Sequence, residues 1–277
     1  MCYQKPSDLD NWSLLNNELM SLRHKVILEW QELVVSNAKE EQYQKFLSKQ
    51  AGMFFLDAHS KFICIEKIRL GADYVIDFAV ATEGYSNGLS WELIEIELPH
   101  AIPFTKEGIP SARLSRAIQQ IHNWKRWLID NRRDAEKLFP AYGIRTKRNA
   151  NFKFSVLIGT RDNSSLWIEQ REQLSTNLGI ELLSFDRLTE WLERRWFSNK
   201  TFIDSSSRPL TEWQKKYLAN PFAMAMSDKE WRKFLKERIR GKIYGAHFTP
   251  TSAELLLKYR SFNKELLTQF QSASAEI

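Results

Sequence analysis

Glu95 and Glu97 stand two residues apart in Trp91-Glu92-Leu93-Ile94-Glu95-Ile96-Glu97-Leu98-Pro99, a run that reads as a β-strand. Side chains alternate between the two faces of a sheet. Trp91, Leu93, Glu95 and Glu97 therefore share one face, and Ile94, Ile96 and Leu98 the other. Two carboxylates on one face repel each other and lose hydration if buried. A divalent cation between them reverses that cost, because hard ions take carboxylate oxygens. Pro99 lacks the N–H a strand ladder needs, so the strand stops there. Taken alone, the pair is explained most simply by a solvated edge strand with its acids in water.

A third acid changes the balance. Asp77 interrupts Tyr74-Val75-Ile76-Asp77-Phe78-Ala79-Val80, an otherwise apolar run that suits a strand covered on both faces. The turn-rich segment from Glu83 to Gly88 leads back into the acidic strand as a hairpin-like connection. Upstream, Phe62-Ile63-Cys64-Ile65 reads as another strand, closed by a turn at Leu70-Gly71.

The elements that must position these acids follow from periodicity. Asp8 or Asp10 caps a helix through Trp12, Leu15, Leu19, Leu22, Val26, Trp30 and Leu33, ending near Ser36-Asn37. A second helix, Lys39 to about Gln50, presents Tyr43, Phe46 and Leu47 before Ala51-Gly52 breaks it. Ser111 caps an amphipathic helix whose stripe is Leu114, Ala117, Ile118, Ile121 and Leu128, with Gln120 and Trp124 near its edge. Residues 130–151 are polar and basic. A strand over Phe152–Ile158, a helix near 165–177, a strand at Ile180–Leu183 and a helix over Phe185–Phe197 complete an α/β unit. Past the linker-like Ser205-Ser206-Ser207-Arg208-Pro209, three helices are expected over Leu210–Leu218, Asp228–Arg240 and Ser252–Phe270. The chain thus divides into an N-terminal helical region (1–50), an α/β domain (51–204) and a C-terminal helical region (208–277).

The order helix, strand, strand with Asp77, strand with Glu95 and Glu97, helix with Gln120, strand resembles the core of the PD-(D/E)xK nuclease superfamily. Further motifs narrow this. Gly71-Ala72-Asp73-Tyr74-Val75-Ile76-Asp77-Phe78, Leu93-Ile94-Glu95-Ile96-Glu97-Leu98-Pro99 and Ala117-Ile118-Gln119-Gln120-Ile121-His122-Asn123-Trp124 look like successive motifs of the Shedu family of prokaryotic anti-phage nucleases. Phe154-Ser155-Val156-Leu157-Ile158-Gly159 and Ser184-Phe185-Asp186-Arg187-Leu188 look like its later strand and strand–helix turn. The resemblance implies a restriction-endonuclease-like mixed sheet flanked by helices, an Mg²⁺- or Mn²⁺-dependent DNA endonuclease activity, and homo-oligomers. Carried over residue by residue, Asp77 and Glu95 become metal ligands, with the Ile96 carbonyl as a third and Glu66 as a further acid. Gln120 becomes a hydrogen-bond partner of the attacking water or a phosphate.

Glu97 departs from that pattern, which has lysine there to orient the water and offset phosphate charge. A carboxylate can instead bind a second metal or accept the water's proton. The alternative is a degenerate site that still binds nucleic acid, or serves assembly, without cutting.

Composition sets outer bounds. The 277 residues, 43% of them hydrophobic, can bury a core, and no run approaches the length of a membrane span. The start lacks an apolar leader, and Cys2 and Cys64 show no metal spacing, which fits a reducing, cytoplasmic setting. Residues 1–207 balance 27 Lys and Arg against 27 Asp and Glu, whereas residues 208–277 hold 13 against 7. The whole excess of +6 therefore lies in the last quarter, pointing to a polyanion partner. There Arg232, Lys233, Lys236 and Arg240 form one helix face suited to phosphates, or simply a solvated face. Arg113, Arg116, Lys125 and Arg126 flank the Gln120 helix with the same two explanations.

Overall fold

Three strands joined by short connections form an antiparallel meander, and two more join it in parallel. The computed structural model describes residues 24–50, 54–55, 61–83, 89–139, 151–161, 167–195 and Lys229. Helix α1 covers 24–35 of these and α2 spans Glu40–Lys49. Strands β1 (Lys61–Leu70), β2 (Tyr74–Glu83) and β3 (Leu89–Ile96) follow, then helices α3 (Ala112–Asp130) and α4 (Arg132–Leu138). Strand β4 (Asn151–Leu157), helix α5 (Ile168–Leu178), strand β5 (Ile180–Leu183) and helix α6 (Phe185–Arg195) complete the described elements. The single sheet runs β1-β2-β3-β4-β5. Pairing is antiparallel through β3 and parallel from β3 to β5. Parallel neighbours need a crossover, supplied by α3–α4 and by α5.

The expected α/β architecture is therefore present, but β3 is the middle strand rather than an edge. Its acids are not solvated: Glu92, Glu95 and Glu97 are 7%, 8% and 9% exposed. Glu92 is satisfied by the Ser155 hydroxyl, which donates at 2.9 Å from β4. The other two have a different fate, described below.

Helix α3 lies over the face carrying Leu93 and Phe154, which pair across β3 and β4. Leu114, Ala117, Ile121, Trp124 and Leu128 are its buried stripe, spaced by alternating threes and fours. Ser111 accepts from the Leu114 N–H, as a capping serine should. The polar stretch after it conceals α4, whose Ala135 is buried and which delivers Phe139 edge-on to Trp91 at 5.4 Å. On the opposite face Phe55 packs on Phe78 at 4.7 Å. The N-terminal helices share this core. Trp30 stacks on Phe46 and on Phe185, both at 5.6 Å, and its indole N–H donates to Thr189 at 3.0 Å.

Gly159 locks the end of β4 to its surroundings. Its N–H donates to the Leu98 carbonyl, and its own carbonyl accepts from Phe185 at the start of α6. Its φ is +72°, and a Cβ there would lie 2.9 Å from the Ala101 carbonyl oxygen. Gly159→Ala should therefore destabilise the fold by about 2 kcal/mol or more, read as a lower urea or thermal midpoint.

Candidate active site

The β2–β3 ladder ends at Phe78↔Ile94. One step beyond, the register sets Asp77 opposite Glu95, on the face shared by Ala79 and Leu93. The strands part here, and the Asp77 carboxylate fills the opening. Its Oδ2 accepts from the Ile96 N–H at 2.8 Å. Its Oδ1 accepts from the Lys67 ammonium at 2.5 Å. Glu97, just past β3, remains attached to β4 through its N–H on the Leu157 carbonyl.

Four acids and three cations converge around this opening. Glu95 is buried, and its Oε2 has no hydrogen-bond partner among the described residues. Burial first, then the negative charges of Asp77, Glu97 and Glu40, push its carboxyl up to about 10, against the pull of Lys67. Burial likewise raises the Glu97 carboxyl, opposed by a 3.1 Å hydrogen bond from Arg113. Glu40, the first residue of α2, sits 3.8 Å from the same guanidinium. Burial and the nearby Asp77 raise its carboxyl, while Arg113, Lys67 and Arg116 lower it. Without added cations, Glu95 therefore holds its proton at neutral pH.

The structure brings Asp77, Glu95, Glu97, Arg113 and Arg116 together and leaves other candidates apart. Gln120 reaches the β2 backbone, donating to the Val75 carbonyl at 3.5 Å, rather than to an acid. Glu66 is paired opposite Phe78, on the other face from Asp77. Ile96 points its side chain into the core, and its N–H serves Asp77. Lys125 places its ammonium on the Leu178 carbonyl at 2.6 Å and 4.7 Å above the Phe154 ring, which occupies it in packing. Trp124 is fully buried in the core. Arg232, Lys233, Lys236, Arg240 and the other C-terminal helices lie outside the described residues, as does the first helix before residue 24.

Two members of the cluster were not anticipated. Lys67 faces Asp77 because β1 and β2 pair through a short turn, with Leu70↔Tyr74 next to it. Counting outward from Gly71 would have found it. Glu40 arrives only through the packing of α2, for which the sequence carries no local sign.

Among the described residues, no group of three or more His, Cys, Asp or Glu side chains is set to hold a metal ion. Two carboxylates do face each other, and Mg²⁺ commonly takes one or two together with waters and substrate oxygens. The unpartnered Glu95 oxygen is the atom such an ion would satisfy. The donor set of Asp77 and Glu95 fits a hard divalent cation, provided the Lys67 ammonium leaves Asp77 Oδ1.

The buried carboxyl sets a pH dependence. A group whose folded pKa is raised contributes stability that is complete below its unfolded value, 4.5 here, and lost as pH climbs towards about 10. Glutamine stays neutral throughout. In metal-free buffer Glu95→Gln should match the parent near pH 4.5 and exceed it by about 1–3 kcal/mol near pH 9. Unfolding midpoints measured across that range provide the check, and equal midpoints at both ends would refute it.

No curated protein matches the chain. A family model described as the C-terminal part of Shedu protein SduA matches residues 37–189, more than half the chain. The match takes in Glu40, Lys67, Asp77, Glu95, Glu97 and Gln120, and so the chain belongs to the Shedu family.

Proposed function

We propose that the protein is a metal-dependent nuclease of anti-phage defence, cutting phosphodiester bonds of DNA where β2 and β3 part. Family membership supports the defence role. The observation that carries the chemistry is Glu95, a buried carboxyl with an unpartnered oxygen, set opposite Asp77 in the middle of a sheet. Burying that oxygen without a partner is costly, and a divalent cation is the ligand that best removes the cost.

In hydrolysis, a water oxygen bonds to phosphorus while one P–O ester bond breaks. The water's proton leaves, and the departing oxygen gains one from solvent. A bound Mg²⁺ or Mn²⁺ would polarise the phosphoryl group and acidify a coordinated water. Asp77 and Glu95 would hold the ion. Glu97, with its carboxyl raised by burial, is suited to accept the water's proton, and the hydrogen bond from Arg113 fixes its orientation. The basic region beyond residue 208, including Arg232, Lys233, Lys236 and Arg240, would bind the DNA backbone. Self-association into a homo-oligomer belongs to the same proposal.

A second reading is favoured by the cations already seated on the acids. Lys67 on Asp77 and Arg113 on Glu97 could mark a site that binds nucleic acid without cutting. Cleavage assays with Mg²⁺ or Mn²⁺ on supercoiled, linear and single-stranded substrates separate the two. Asp77→Ala and Glu95→Ala should each lower the rate at least ~100-fold with the fold intact. If the parent protein cuts nothing under any of these conditions, the enzyme reading is lost. Glu97→Lys then sorts what remains. New activity marks a degenerate site, and loss of existing activity marks Glu97 as a working residue.

A further inference from the structure

We infer that Lys67 is a catalytic group of this site, its ammonium donating to a phosphate oxygen as negative charge builds at phosphorus. The inference rests on the nuclease reading and deepens it.

An acid cluster alone repels a phosphodiester, and hydrolysis adds negative charge to it in the transition state. Glu97 supplies none of the compensating positive charge. Arg113 is engaged by two carboxylates, Glu97 at 3.1 Å and Glu40 at 3.8 Å. Among the described residues, Lys67 has one hydrogen-bonded ion pair, with Asp77 Oδ1, and its side chain is 50% exposed where that of Asp77 is 13% exposed. The ammonium therefore stands between the acid and solvent, on the side a substrate must approach. A flexible four-carbon stem lets it turn from Asp77 to a phosphate oxygen without leaving the site.

The backbone supplies a second, independent sign. Lys67 has φ +48° in the interior of β1, while Glu66↔Phe78 and Ile68↔Ile76 stay paired on either side. Among the described residues Asn37 is the other non-glycine with positive φ, and it sits in a turn, where asparagine is at ease. A lysine held in this conformation mid-strand is strained, and glycine would suit the backbone better. A half-exposed ion pair contributes little stability, so it does not account for keeping lysine there. Delivery of an ammonium to the opening does.

The test uses the full chain and three readouts: cleavage rate, Mn²⁺ binding by titration, and thermal midpoint. Lys67→Gly and Lys67→Asn both accept the left-handed backbone. Each should cut about 100-fold more slowly or worse, with the midpoint unchanged or higher and Mn²⁺ bound at least as tightly, since Asp77 Oδ1 is released. Lys67→Asn combined with Glu97→Lys should regain part of the lost rate by restoring an ammonium from the neighbouring strand. Parent-like cutting by both single variants would overturn the role of Lys67 while leaving the nuclease reading in place. Loss of rate that tracks a fallen midpoint and weakened Mn²⁺ binding would reduce Lys67 to a structural part and overturn it as well. A parent protein that cuts nothing removes the nuclease reading, and this inference goes with it.

Discussion

The whole site follows from one uncompensated group, the Glu95 carboxyl in the central strand. An ionised carboxylate taken out of water must find a partner or keep its proton. Glu95 finds none for Oε2, and three further acids crowd it. The surroundings answer with fixed cations on the neighbours: Lys67 on Asp77, Arg113 on Glu97 and Glu40. Each relieves a charge next to Glu95, and Lys67 also draws on Glu95 itself, yet burial still dominates there. That pattern is a poor way to stabilise a sheet.

Sheet geometry makes this cluster possible. As long as β2 and β3 remain paired, backbone groups satisfy one another and leave no room for chemistry. The ladder stops at Phe78↔Ile94, and the Ile96 N–H turns to a side chain instead. Beyond that point β3 relies on β4, through Glu97 and Leu157, and on the loop held by Gly159. The acids sit where one side of the strand has let go and the other has not. They are therefore carried on a strand that is still held on one side.

Much of this was legible in the sequence, and for definite reasons. Period-two alternation put Glu95 and Glu97 on one face, and an acid inside an apolar run singled out Asp77. The stripe of α3 and its Ser111 cap followed from spacing alone. What failed was context. Alternation cannot say whether a strand is central, so β3 read alone looked like an edge. The polar surface of α4 hid its Ala135 and Phe139, because a two-turn helix shows too little periodicity. Glu66, singled out by the family resemblance, pairs with Phe78 and so lies on the face opposite Asp77, because one residue of parity in a strand reverses the side. Glu40 was invisible because nothing local connects α2 to a strand tip some 55 positions on.

That last connection has a consequence for how the protein comes into being. Glu40 is held at the site because α1 and α2 are clamped by Trp30 against Phe185 and Thr189, a contact spanning 159 residues of sequence. Loops of that length close late, after local strands and helices have formed. A nascent chain that has made β1, β2 and β3 but not yet α6 already carries Asp77, Glu95 and Glu97, without the surface that seats the N-terminal helices. The full cluster, Glu40 included, is assembled only when both ends of the described unit have met.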